Sequence, residues 1–207
     1  MMSIYKSDQL FYLHAKDLTM IIEEQYGYLF LKYIGKKVKR YHGSNAVIQK
    51  DHAFSGNPFP ERREFSLDTQ RMLLGQHGLG DFRQPSIRIQ HDNNEVTDFR
   101  YVSYEINQGV RNAKGLPSPY AKESEATTLT LNLKDEVAQL ELKLHYTVYK
   151  NSNTITNFSE VSNLNAEDVV IHQQHSLMLD LPKNDYDLIS FQGAYAREKT
   201  LRRHSLN

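Results

Sequence analysis

The stretch QLELKLHYTVY, residues 139–149, alternates without a break. Leu140, Leu142, Leu144, Tyr146 and Val148 stand against Glu141, Lys143, His145, Thr147 and Tyr149. A period of two sends the first set into a core and the second toward solvent or another layer, which is the pattern of a β-strand. Upstream, Leu129, Leu131 and Leu133 alternate with Thr128, Thr130 and Asn132. The polar Lys134-Asp135-Glu136 between the two runs reads as a hairpin connection, so the strands are expected to pair antiparallel.

Working outward, the same logic predicts more strands. Thr154–Ser162 lies between the turn-prone Asn151-Ser152-Asn153 and Asn163-Leu164-Asn165. Ser86–Gln90 and Val96–Glu105 flank Asp92-Asn93-Asn94. Leu18–Glu23 and Tyr28–Ile34 flank a turn at Gly27, and Val38–Tyr41 follows Gly35. Val169, Ile171, Gln173, His175, Leu177, Leu179 and Leu181 read as one face of a long strand ended by Pro182. No long stretch holds a 3.6 period, and turn signals recur at the spacing of a sandwich or barrel. The stretches 45–60 and 109–125 are rich in Gly, Pro and Asn and read as long loops, which in compact domains are often functional. The expectation is one all-β domain over residues 1–207 with no substantial helices.

Composition removes several function classes. With 207 residues the chain can bury a sizeable core unaided. Its 25 Lys+Arg balance 25 Asp+Glu, whereas a nucleic-acid binder needs a basic surplus. No Cys is present, so a disulfide scaffold, a thiolate zinc site and a Cys nucleophile are excluded. No apolar run is long enough for a membrane helix, and the N-terminus lacks the pattern of a signal peptide. A cytoplasmic protein without a cofactor is expected.

Carboxylates such as Asp51, Asp68, Asp81, Asp98 and Glu105 could supply the pair that a glycosidase needs, or could be ordinary turn and edge acids. His172 and His175, three apart on a strand, point to opposite faces and cannot share a metal. His175 is expected to face inward, hydrogen-bonded, with a ligand contact as the alternative. Gly78-Leu79-Gly80 reads as a turn, too short for a phosphate loop. The pairs Tyr101/Tyr104, Phe82/Arg83 and Tyr195/Arg197 would suit a sugar-contacting surface, although aromatics also favour strands for packing. Lys36-Lys37-Val38-Lys39-Arg40 reads as a solvated or edge-protecting strand face.

Several blocks, in order, carry a resemblance. They include Phe65-Ser66-Leu67-Asp68-Thr69, Gly80-Asp81-Phe82-Arg83-Gln84-Pro85, Thr97-Asp98-Phe99-Arg100-Tyr101, Gly115-Leu116-Pro117, residues 144–149 and residues 186–198. Together they resemble the N-terminal region of the α-galactosidases of glycoside hydrolase family 36. The resemblance implies a large two-sheet supersandwich, similar to galactose mutarotase, that precedes a catalytic (β/α)₈ barrel hydrolysing terminal α-galactosides with retention. The barrel, which carries both catalytic Asp residues, is expected downstream and absent from this chain, so no catalytic residue is carried over. The resemblance further implies a homo-oligomer, typically a tetramer, in which a loop of this domain lines a neighbour's active site. Asp51 would accept from a sugar hydroxyl, Arg63 would supply a planar donor fork, and Phe54 would shape the wall. Two positions depart from the family pattern: Tyr195 stands where Trp is usual, and His77 stands where an aromatic-Gly pair is common. A stand-alone mutarotase-like enzyme using His145, His172 and His175, and a carbohydrate-binding module, are the alternatives.

Overall fold

The computed structural model describes residues 3–43, 57–181 and 185–206. Two four-stranded antiparallel sheets face each other. The first contains β1 (Ile4–Ser7), β2 (Leu10–His14), β3 (Leu18–Gln25) and β4 (Tyr28–Lys36), in that order. After β5 (Ile87–Gln90), the second contains β6 (Arg100–Gln108), β7 (Ala126–Asp135), β8 (Leu140–Tyr149) and β9 (Thr154–Asn163), also in sequence order. β10 (Val170–Gln174) pairs with β5, and β11 (Asp187–Gln192) pairs with β12 (Thr200–Ser205). Among the described residues the only helical turns are 3₁₀, at Leu67–Thr69 and Glu123–Glu125.

The alternation in β7 and β8 does what its period demands. Leu129, Leu131, Leu133, Leu140, Leu142, Leu144, Tyr146 and Val148 are buried against Phe11, Leu13, Met20, Ile22, Leu29 and Leu31 of the first sheet. Each fully buried side chain of this kind contributes roughly 1.5–3 kcal/mol. The turn between β7 and β8 is held by Asp135, whose Oδ1 accepts from the amides of Val137 (3.0 Å) and Ala138 (2.8 Å). Its Oδ2 accepts from the Asp98 amide at 2.6 Å, tying this turn to the approach to β6. β3 and β4 are joined by two residues with positive φ, Tyr26 (55°) and Gly27 (82°), a geometry that suits the right-handed twist of a hairpin. A Cβ on Gly27 would also meet Arg100 Cδ at 3.3 Å.

Three expectations need correction. Val38–Tyr41 forms no strand, because side chains take up its polar groups. The Lys37 ammonium donates to the Ala15 and Lys16 carbonyls, both at 3.1 Å, Val38 N to Thr19 Oγ1 at 3.2 Å, and Tyr41 N to Tyr12 Oη at 3.4 Å. Nor does a long strand reach Leu181. β5 starts only at Ile87, just after Pro85, so β10 loses its partner after Gln174, and Leu177, Leu179 and Leu181 are exposed. His175 therefore lies beyond the strand and is exposed rather than inward, although its amide still reaches Ser86 O at 2.8 Å. β1, β2, β11 and β12 were not anticipated as strands.

Candidate functional site

Asp51 and Phe54 lie outside the described residues. The segment that follows them in the chain, residues 57–65, is described. Asn57 Nδ2 donates to Arg62 O (2.7 Å) and its Oδ1 accepts from Phe59 N (2.8 Å). Arg62 N donates to Phe59 O and Phe65 N to Arg62 O, each at 2.9 Å. These bonds fold residues 57–65 into consecutive tight turns. Phe65 is buried with Tyr28, Phe30, Leu67 and Met72 in a second core cluster, against which Phe59 packs.

Two guanidinium groups clamp this aromatic base. Arg62 lies 4.5 Å from the centre of the Tyr26 ring and donates to Tyr26 Oη at 2.9 Å. Arg100 lies 4.0 Å from the Tyr28 ring and 5.2 Å from Phe59, an arrangement that favours a cation over a π-face. Arg100 is held by a two-pronged contact to Asp98, Nε to Oδ1 at 2.6 Å and Nη2 to Oδ2 at 2.8 Å. Tyr28 Oη donates to the same Oδ1 at 3.1 Å. Burial, with the Asp98 charge, lifts the Tyr28 phenol far above its ordinary range, so it remains a donor. Arg63, exposed, sits next to the Arg62 clamp on this fixed segment.

A second locus uses the same tripeptide in the opposite sense. Asp81-Phe82-Arg83 and Asp98-Phe99-Arg100 both form an Asp–Arg fork across one residue. In the first, Arg83 Nε reaches Asp81 Oδ1 at 2.7 Å and Nη2 reaches Oδ2 at 2.9 Å. At 98–100 both partners of the fork are part-buried and Phe99 is 0% exposed. At 81–83 the Asp is buried, the part-buried Arg83 also donates to Gln70 O (2.7 Å) and to Asp180 (2.5 Å), and Phe82 is 82% exposed. Burial alone would pull the Arg83 guanidinium down, but Asp81, Asp180 and Asp68 hold it above its ordinary value. Beside Phe82 lies a cavity of about 640 Å³ lined by Gly78, Gly80, Gln84, Arg88 and Gln173 among others. Gly78 (φ 91°) is confined there, since a Cβ would come within 2.6 Å of Val96.

The histidines do not converge. His145, its side chain 0% exposed, bonds Thr130 Oγ1 through Nδ1 (2.8 Å) and Glu160 Oε2 through Nε2 (2.9 Å), and stacks on Phe158. His172 lies at a bulge of β10 and bonds Gln90 Oε1 at 2.9 Å. Asp68 is engaged by Ser66, and Asp81 and Asp98 by their arginines. These three acids are thus taken up in structural contacts, Asp81 in a buried one. Tyr195 is 98% exposed in the connection between β11 and β12. Among the described residues no group of three or more His, Asp or Glu is placed to hold a metal, and no helix could cross a membrane. The forks and the guanidinium–aromatic contacts were not read from sequence. The twice-repeated Asp-Phe-Arg was the available signal.

A family model described as the glycosyl hydrolase family 36 N-terminal domain matches residues 27–207. The chain belongs to this family. It is 39% identical to alpha-galactosidase AgaA of Geobacillus stearothermophilus over 87% of its own length and 25% of that protein. It is 32% identical to alpha-galactosidase 1 of Pediococcus pentosaceus over 100% of its own length and 29% of that protein. Among solved structures, the GH36 alpha-galactosidase AgaB of Geobacillus stearothermophilus superimposes with a TM-score of 0.92 at 36% identity, covering 100% of this chain and 29% of that one. This family 36 domain therefore spans about a quarter of the length of the relatives it matches.

Proposed function

We propose that this chain is the non-catalytic N-terminal domain of an α-galactosidase that hydrolyses terminal α-D-galactosides with retention. Residues 1–207 act as one supporting domain for a catalytic barrel carried by the rest of the polypeptide. The observation that carries this reading is the family match over 27–207, together with the likeness to α-galactosidases of which the chain matches about a quarter. Further support comes from the engagement of Asp68, Asp81 and Asp98 in structural contacts, and from the exposed apolar side chains of β10–β12. Val170, Ile171, Leu188, Phe191 and Leu201 are all exposed, a surface that a further domain would cover.

The same reading gives the loop carried on the Tyr26–Phe59–Phe65 base its role. Asp51, Phe54 and Arg63 form part of a neighbouring subunit's active-site wall in a cytoplasmic tetramer. The neatly clamped 57–65 segment supports this, since a loop that meets a substrate needs a fixed foundation.

The test is an assay of α-galactoside hydrolysis on melibiose, with the chain alone and with a relative's catalytic portion lacking its own N-terminal domain. The chain alone is expected to be inactive. The mixture is expected to co-elute and gain activity, and Asp51→Asn or Arg63→Ala should reduce that gain. Turnover by the chain alone would overturn the reading, as would a mixture that neither associates nor gains activity.

A further inference from the structure

We propose that the cavity beside Phe82 is a binding site for a neutral oligosaccharide, separate from the loop that carries Asp51 and Arg63. The argument begins with an anomaly. A lone exposed apolar side chain needs no explanation, but Phe82 is 82% exposed between two side chains that are themselves engaged. Its two neighbours, Asp81 and Arg83, are locked by the two-pronged fork, by Gln70 O and by Asp180. The same tripeptide at 98–100 buries its Phe completely. The same fork therefore occurs beside a hidden ring at 98–100 and beside an exposed one at 81–83, where the Asp is buried.

The surroundings define the ligand's chemistry. The cavity, about 640 Å³, lies in the range of small-molecule sites. Its polar lining includes the side-chain amides of Gln84 and Gln173, which bond each other at 2.9 Å, Gln173 also donating to Pro85 O, together with the guanidinium of Arg88 and the side chains of His77, Asp81 and Arg83. Amides and guanidinium forks match adjacent hydroxyls, while an aromatic face takes the C–H face of a sugar ring. Charge argues against an anion. Arg83 is matched by Asp81 and Asp180, and Arg88 by Glu95 at 2.5 Å, so both guanidinium groups in the lining already have a carboxylate partner. A large apolar ligand is equally ill served, because the ring is the one exposed large apolar side chain in the lining. Aromatic face, paired amides and balanced charge together fit a neutral polyhydroxylated molecule. This inference stands apart from the function proposed above, and either can fail without the other.

The experiment is a titration of the isotope-labelled 207-residue chain with raffinose, followed by amide chemical shifts, with inorganic phosphate as the anionic probe. The expected result is a saturable response, with a dissociation constant of order 1 mM, in the side-chain amides of Gln84 and Gln173 and the backbone of 80–85. Phe82→Ala should weaken binding by about tenfold and Phe82→Tyr should retain it. Because Phe82 is exposed, both variants should keep the parent's spectrum elsewhere. The proposal is overturned by no saturable response to raffinose at about 50 mM, well above the expected constant. It is overturned equally by unchanged affinity in Phe82→Ala, or by phosphate producing the same response. Self-association abolished by Phe82→Ala without any raffinose response would make the ring a protein contact, and would also overturn it.

Discussion

At the scale of single residues, the two Asp-Phe-Arg tripeptides separate packing from presentation. Phe99 fills the core between the sheets, so Phe99→Ala should cost about 3–5 kcal/mol. Phe82→Ala should lie within about 0.5 kcal/mol of the parent, as for most surface changes. Urea midpoints at constant m-value check both, and a comparable loss at the two positions would contradict the structural contrast. His145 offers a second test. Burial holds its imidazole below the ordinary value, the hydrogen bond it donates to Glu160 only partly opposing this. For Glu160, burial alone would raise the carboxyl, but His145 and Arg111 bring it below the ordinary range. The unfolded chain therefore takes up protons before the folded one does. Stability from the histidine is full above the unfolded pKa of about 6.5 and is lost as pH falls below it, with the glutamate adding to the loss below about 4.5. Denaturation midpoints between pH 7.5 and 5 should fall in the parent and fall less in His145→Gln. Equal slopes would show that His145 is not the group that titrates.

At the scale of elements, legibility followed burial. β7 and β8 were readable because one face of each meets an apolar layer and the hairpin turn is polar. β11 and β12 escaped because their side chains are exposed on both faces, so no alternation was imposed on Leu188-Ile189-Ser190-Phe191. β10 was overread for a related reason: Leu177, Leu179 and Leu181 alternate, but their backbone has no ladder to join. A two-stranded ribbon is marginal unless something packs on it. Amide exchange in Asp187–Gln192 and Thr200–Ser205 of the isolated chain should therefore be much faster than in Leu129–Leu133 and Leu140–Leu144, by about a hundredfold or more. Equal protection would mean that the hairpin is stable without a cover.

For the whole molecule, the all-β class, the facing sheets and the family were legible in the chain, while the candidate site was only partly so. By resemblance, Asp51 and Phe54 belong to one stretch that Arg62 and Arg63 follow. Asp51 and Phe54 lie outside the described residues, and Arg63 lies in the described segment 57–65. What spacing could not reveal was that Arg62 and Arg100 grip that segment through aromatic faces, because those contacts join residues 26–28, 59–65 and 98–100 across the fold. One feature of the architecture also bears on how such a chain acquires its shape. Asp135 serves a turn made by its immediate neighbours and, with its other oxygen, an amide thirty-seven positions earlier. The β7–β8 hairpin closes a short loop and can form early, whereas docking the approach to β6 closes a longer one. A single carboxylate thus links an early local event to a later distant one, so the first hairpin to assemble already holds the acceptor that recruits its next neighbour.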